Sequence, residues 1–227
     1  LSRRPSIGIV GLNLGANKNS ADRISDFATV FKTCSEFIDF ATVNVSSPNT
    51  ENLRELQSDK ELRKLLNGVI ASQDSLKTKV PVFLKIAPDL EQEELKNIAL
   101  VAIDTRIDGI IATNTTISRN NLKSSYQHEK GGLSGAPIFE ISTRVLAQLY
   151  SITEGKMPLI GVGGVFTGEQ LFQKIQAGAS LVQIYSALIY SGFSATNKIL
   201  RELDISLREN GFKNVEEAVG TGVDKWL

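Results

Sequence analysis

Apolar and polar positions fall into alternating blocks along this chain. Short, nearly unbroken apolar runs occur at Ile7–Leu12, Phe40–Val45, Val82–Ile86, Gly109–Ala112, Leu159–Gly161 and Leu181–Ile184. Runs of this kind, bounded by Gly, Pro, Asn or Asp, predict strands buried on both faces. Helical spacing occupies the intervals. It predicts a helix over Ala21–Cys34 and another over Glu91–Ile103, with Leu95, Ile98, Ala99 and Ala102 on one face. Val145, Leu146 and Leu149 form the apolar stripe of a third. Residues 167–176 open on Thr167-Gly168-Glu169-Gln170, which has capping-box spacing, and close at Ala177-Gly178. A last helix runs over Ala195–Arg208 and stops near Gly211.

Strand alternating with helix predicts a parallel sheet covered by helices. No Pro-rich linker or low-complexity tract divides the chain, so residues 1–227 are read as one domain. An open doubly wound sheet would want G-x-G-x-x-G after its first strand. The residues there, Asn13-Leu14-Gly15-Ala16-Asn17-Lys18, do not match. Residues 159–188 favour a (β/α)8 TIM-type barrel instead: strand, glycine turn, helix, strand. Such barrels often bind phosphate with the loops after strands seven and eight and a short helix N-terminus. Six strand–helix units are counted where a closed barrel needs eight. The expectation is therefore the last six β/α units of a barrel, N-terminally incomplete. The chain begins at Leu1 rather than methionine, and either it is a fragment of a longer chain or something else fills the gap left by the first two units.

Composition narrows the function. Lys+Arg and Asp+Glu number 25 each, so no net charge draws the chain to nucleic acid or an acidic membrane face. Cys34 is the sole cysteine, which excludes an internal disulfide. It follows Ile24, Phe27 and Phe31 at helical spacing and reads as a core residue, not a nucleophile. No apolar stretch reaches the ~18 residues of a membrane span, and no signal peptide is visible.

In a barrel the C-terminal strand ends converge on one pocket. Those ends carry Asn13, the stretch Asn44-Val45-Ser46-Ser47-Pro48-Asn49, Lys85, Thr113-Asn114-Thr115-Thr116, Gly163-Gly164 and Tyr185-Ser186. The set is rich in amides and hydroxyls, with one cation and no carboxylate pair. Asp89, four residues beyond Lys85, is a partner for it or a helix cap. His128, the one histidine, sits in a glycine-flanked loop, so neither a metal cluster nor a Ser-His-Asp triad is expected. Lys85 either carries its amine to the surface from an apolar strand or faces an electron-rich ring inside. Amides suit a flat heterocycle, because each offers a donor and an acceptor. A flat ring, a phosphate tail and a nearby cation point to flavin mononucleotide.

Seven motifs carry a resemblance: GLNLGANK, VNVSSPNTENLR, LKIAPDL, IATNTT, GGLSGAPI, IGVGGV and GASLVQIYSAL. In this order, between about residues 7 and 215, they resemble the class 2 dihydroorotate dehydrogenases. The resemblance implies a flavin-dependent barrel that oxidises dihydroorotate to orotate in pyrimidine biosynthesis and passes electrons to a quinone. It implies that Ser47 is the catalytic base, and that Pro48 stiffens its loop. Asn44, Ser46, Asn49, Asn114 and Thr115 are implied to bind orotate. Asn13, Asn44, Lys85, Thr113 and Asn114 are implied to contact the flavin ring or ribityl chain, and Ser134 and Gly135 a further part of FMN. Val162, Gly163, Gly164, Tyr185 and Ser186 are implied to hold its phosphate, and residues 116–134 to cover the substrate.

The family's first two units and its N-terminal helical pair, which docks on the membrane, do not align with this chain. The chain alone is therefore expected to be impaired. Membrane association is expected through that absent N-terminal segment, at the mitochondrial inner membrane or, as the alternative, a bacterial inner membrane. The competing readings are a class 1 enzyme using fumarate or NAD, against which Ser47 argues because that class carries cysteine, and a non-catalytic barrel remnant.

Overall fold

The computed structural model describes residues 8–17, 19–47, 56–120 and 122–227. Among these residues, six strands follow one another in chain order within one sheet: β1 Gly11–Leu14, β2 Phe40–Asn44, β3 Val82–Ile86, β4 Gly109–Ala112, β5 Leu159–Val162 and β6 Leu181–Gln183. The β1–β2, β2–β3 and β5–β6 pairings are all parallel. Contacts group the chain into two units. The first holds β1–β3 and extends over Glu91–Ile110; the second comprises Ala87–Leu90 and Ile111–Leu227. Strand β4 contributes residues to both.

In the first unit, register sorts the side chains by face. Gly11, Leu12, Asn13 and Leu14 pair with Phe40, Ala41, Thr42 and Val43, and Asn44 pairs with Lys85. Partners in a parallel ladder share a face, and successive residues alternate. One face carries Ala41, Val43, Val82, Leu84 and Ile86, all buried. Helices α1 Arg23–Cys34, α2 Asp59–Asp74 and α3 Gln92–Asp104 bring their own buried residues to this unit, among them Phe27, Phe31, Leu66 and Ile98. Burying one such side chain stabilises by about 1.5–3 kcal/mol, so this face holds the unit together. The opposite face carries Asn13, Thr42, Asn44, Phe83 and Lys85. Phe40 and Phe83 meet on it edge to face, with centroids 5.9 Å apart.

Asp108, after α3, ties the base of β3. Its carboxylate accepts from Val82 N at 2.9 Å and Gln73 Nε2 at 2.8 Å, and pairs with Lys79 at 2.6 Å. Burial pushes its pKa up, but the bonds from Lys79, Val82 and Gln73 outweigh this and hold it below the usual carboxylate value.

In the second unit, α4 Phe139–Ile152, α5 Gly168–Gln176, α6 Ser186–Ser191, α7 Ser194–Glu209 and α8 Val215–Ala218 surround a core that includes Phe139, Phe172, Ile175, Ile199 and Leu203. Thr167 caps α5 by accepting from Gln170 N at 3.2 Å. The reciprocal half of a capping box is missing, because Gln170 accepts instead from Phe166 N.

Strands β3 and β4 have the bounds that the apolar runs predict. The first strand lies later than expected, at Gly11–Leu14; Ile7, its predicted start, is outside the described residues. Asp39 explains the shift. Its N–H donates to Val10 O and its carboxylate accepts from Val10 N, which fixes where β1 begins beside β2. Helix α2 has no counterpart in the sequence prediction. Cys34 is half-buried rather than core, because it is the last residue of α1. Helix α3 is capped by Glu91, whose N–H donates to Glu94, and not by Asp89.

Candidate active site

Within the first unit, Asn13, Asn44 and Lys85 occupy the same sheet face near the C-terminal ends of three adjacent strands. The loop after β2 is fastened to β3. Ser46 is fully buried, and its hydroxyl lies 2.9 Å from Lys85 O and 3.1 Å from Asn44 Oδ1. Ser46 N donates to the same Asn44 oxygen at 3.3 Å. An asparagine that turns its carbonyl back on the next residues makes a compact turn. This turn sets the course of the chain into Ser47, which is half-buried. Ser46 is thus held within the protein. Asn49 and Pro48 lie outside the described residues.

Lys85 is half-buried between Leu84 and Ile86, and burial holds its pKa below the ordinary lysine value. No carboxylate among the described residues forms a salt bridge with it. A cation beside the amides of Asn13 and Asn44 suits an anionic or electron-rich ligand.

Within the second unit, Thr113 is buried and donates its N–H to Val162 O at 3.0 Å, which joins the ends of β4 and β5. Its hydroxyl donates to Asn114 O, and Asn114 Oδ1 accepts from Thr115 N at 2.8 Å. Asn114 thereby turns on its own chain much as Asn44 does. Thr116 exchanges both backbone hydrogen bonds with Leu133, closing the base of the loop between them. Asp89 reinforces this base by accepting from the Thr116 hydroxyl and from Ile117 N. Arg119 donates to the carbonyls of Glu129 and Gly131. The polar run read as a cover over the substrate is therefore a loop with a pinned root.

The remaining predicted residues converge on three loops of the second unit. Gly163 and Gly164 have φ of +123° and +74°, a region that side chains rarely adopt. A Cβ on Gly164 would lie 2.5 Å from the Phe139 Cβ and 2.6 Å from its Cα, so the turn presses against the start of α4. Ser186 Oγ donates to Ser134 Oγ at 3.1 Å, and Gly135 is buried beside it. Tyr185 is exposed. Gly163, Gly164, Ser134 and Gly135 thus lie on braced loops, with Val162 at the end of β5 and Ser186 at the start of α6 beside them. Sequence reasoning missed two residues behind them, Ser142 and Lys174. Lys174 shares a helical face with Leu171 and Ile175, so the spacing marks it as buried, and its charge hides that signal.

Six β/α units with polar loops after parallel strands define an α/β protein of the TIM-barrel type. Its relatives are specific. The dihydroorotate dehydrogenase family profile matches residues 2–207. The quinone dihydroorotate dehydrogenase of Cereibacter sphaeroides strain KD131 is 56% identical over 228 residues, covering 100% of this chain and 64% of that protein. The mitochondrial quinone enzyme of Mus musculus is 46% identical over 214 residues, covering 93% of this chain and 54% of that one. The ligand-free structure of the Eimeria tenella enzyme superposes with a TM-score of 0.92 at 36% identity, covering 97% of this chain and 66% of that chain. This chain belongs to the dihydroorotate dehydrogenase family. It spans less than two thirds of the length of these relatives.

Proposed function

We propose that this chain carries the catalytic base and the cofactor contacts of a flavin-dependent dihydroorotate dehydrogenase that uses a quinone as acceptor, serving pyrimidine biosynthesis. The observation that carries this reading is the fastening of the Ser47 loop to β3, beside the Asn44–Lys85 register pair. The donor set fits FMN: amides and a lysine for a flat heterocycle, and backbone N–H groups of a glycine turn with neighbouring hydroxyls for a phosphate.

Bound FMN supplies a two-electron acceptor for the hydride that leaves C6 of dihydroorotate. Ser47 takes the proton from C5, so that the C5=C6 double bond of orotate forms. A serine hydroxyl is a weak base, and its own proton must pass on through a neighbouring hydroxyl or water as it accepts. Asn44, Asn49, Asn114 and Thr115 bind the substrate and set C5 toward Ser47, and Ser46 holds the loop that carries this group. Asn13, Asn44, Lys85, Thr113 and Asn114 serve the flavin ring and ribityl chain. The Lys85 ammonium stabilises negative charge that develops at the ring. Val162, Gly163, Gly164, Tyr185 and Ser186 hold the phosphate, with Ser134 and Gly135 beside them.

Residues 1–227 form one domain in this reading. A quinone acceptor places the reaction at the inner membrane of a mitochondrion or a bacterium. No helix among the described residues is long and apolar enough to cross a membrane. The test is dihydroorotate-dependent quinone reduction by FMN-loaded protein, run beside fumarate and NAD as acceptors. Measurable but reduced turnover, with quinone and not with fumarate or NAD, is expected of these residues. Turnover with fumarate or NAD, or failure to take up FMN, would overturn the assignment.

A further inference from the structure

Lys174 is the largest polar side chain with no exposure to solvent among the described residues. Its Nζ donates to Ser142 Oγ at 2.6 Å and lies 5.2 Å from the centroid of the Phe139 ring. Burial lowers its pKa to about 7, with no charged neighbour contributing. A buried amine is costly, and an apolar side chain of similar volume would fill the same space more favourably. Its placement therefore asks for a specific task.

That task is visible in its partner. Because Ser142 accepts from Lys174, it turns its own proton toward backbone carbonyls. Those of Ile138, Phe139 and Gly163 lie at 2.7, 3.1 and 3.3 Å. Ile138 closes the 3-10 turn that follows Ser134 and Gly135, and Gly163 opens the glycine turn after β5. A Cβ on Gly163 would lie 2.7 Å from Ser142 Oγ, so hydroxyl and turn are in tight contact. One buried amine thus stands behind both braced loops.

We infer that Lys174 is a positioning residue: through Ser142 it holds the Ser134–Ile138 and Gly163–Gly164 loops in the arrangement that binds the phosphate of a flavin nucleotide. The inference rests on the flavin reading above. It is tested by titrating FMN and riboflavin, which lacks the phosphate, into wild type, K174M, S142A and the double variant. Flavin fluorescence reports affinity, and circular dichroism melting reports fold.

Wild type is expected to prefer FMN over riboflavin. K174M and S142A are each expected to lower that preference roughly tenfold, a loss of about 1.4 kcal/mol, at an unchanged or higher melting temperature for K174M. The double variant loses no more than the larger single loss, as two links of one chain should. S142A carries the same test should K174M fail to fold. A folded K174M or S142A that keeps the wild-type preference within about twofold, or weakens both flavins equally, overturns the inference while leaving the flavin reading intact. A wild type that binds neither flavin removes both.

Discussion

Replacing Lys174 by methionine changes how stability depends on pH. In the folded chain the amine has a pKa of about 7, against 10.5 for an ordinary lysine. Between those values the unfolded chain binds a proton that the folded chain does not. Stability attributable to this site is therefore lowest at and below about pH 7, where the charge must be buried. It rises with pH until the unfolded lysine also titrates. Each pH unit inside the window is worth about 1.36 kcal/mol, so between pH 7.5 and 9.5 wild type should gain on the order of 2–3 kcal/mol relative to K174M. The hydrogen bond to Ser142 and the contact with the Phe139 ring offset part of the burial cost but do not change the sign. The assay is urea unfolding of both proteins at several pH values across this range. The difference between them is the quantity to follow, because the two proteins differ at this one side chain. Parallel curves, or a wild type that loses stability relative to K174M as pH rises, would refute the reasoning.

Other substitutions probe the remaining contacts. G164A should cost on the order of 3 kcal/mol and abolish FMN binding, because the new methyl meets Phe139 and the turn has positive φ; thermal melting and flavin titration check this. D108A leaves the Val82 N–H without its acceptor and the Gln73 amide with Val80 O alone, and should destabilise by roughly 2–3 kcal/mol at pH 7 in urea unfolding. Because the Asp108 pKa is lowered, its contribution is present above the ordinary carboxylate value and fades as pH falls toward the folded one, so wild type and D108A should converge in acid. S46A removes the clamp to Lys85 O; steady-state kinetics should show a fall in kcat about tenfold, with FMN affinity within about twofold.

The sequence displayed much of this fold because β3 and β4 are apolar runs with sharp polar boundaries. The apolar spacing of Leu62, Leu65, Leu66, Val69 and Ile70 also marks α2, but Gly68 and its polar neighbours break up the impression of a helix. The candidate site was legible as a set of residue types at strand ends. What the sequence hides is partnership at a distance. Ser46 meets the carbonyl of Lys85, 39 positions away, only because of the parallel register. Asp89 reads as a cap or a partner of Lys85, yet it binds the root of the loop at Thr116 and Ile117. Lys174 shares the buried face of α5 with Leu171 and Ile175, but its charge disguises this, and its partner Ser142 lies 32 positions away on α4.

Ser47 as the group that takes the C5 proton is the centre of this account. The direct measurement mixes dihydroorotate anaerobically with FMN-loaded wild type and S47A and follows loss of the flavin's visible absorption. Equal FMN uptake by both, with bleaching slowed roughly a hundredfold or more in S47A, is the predicted result. Bleaching of S47A at the wild-type rate would contradict it.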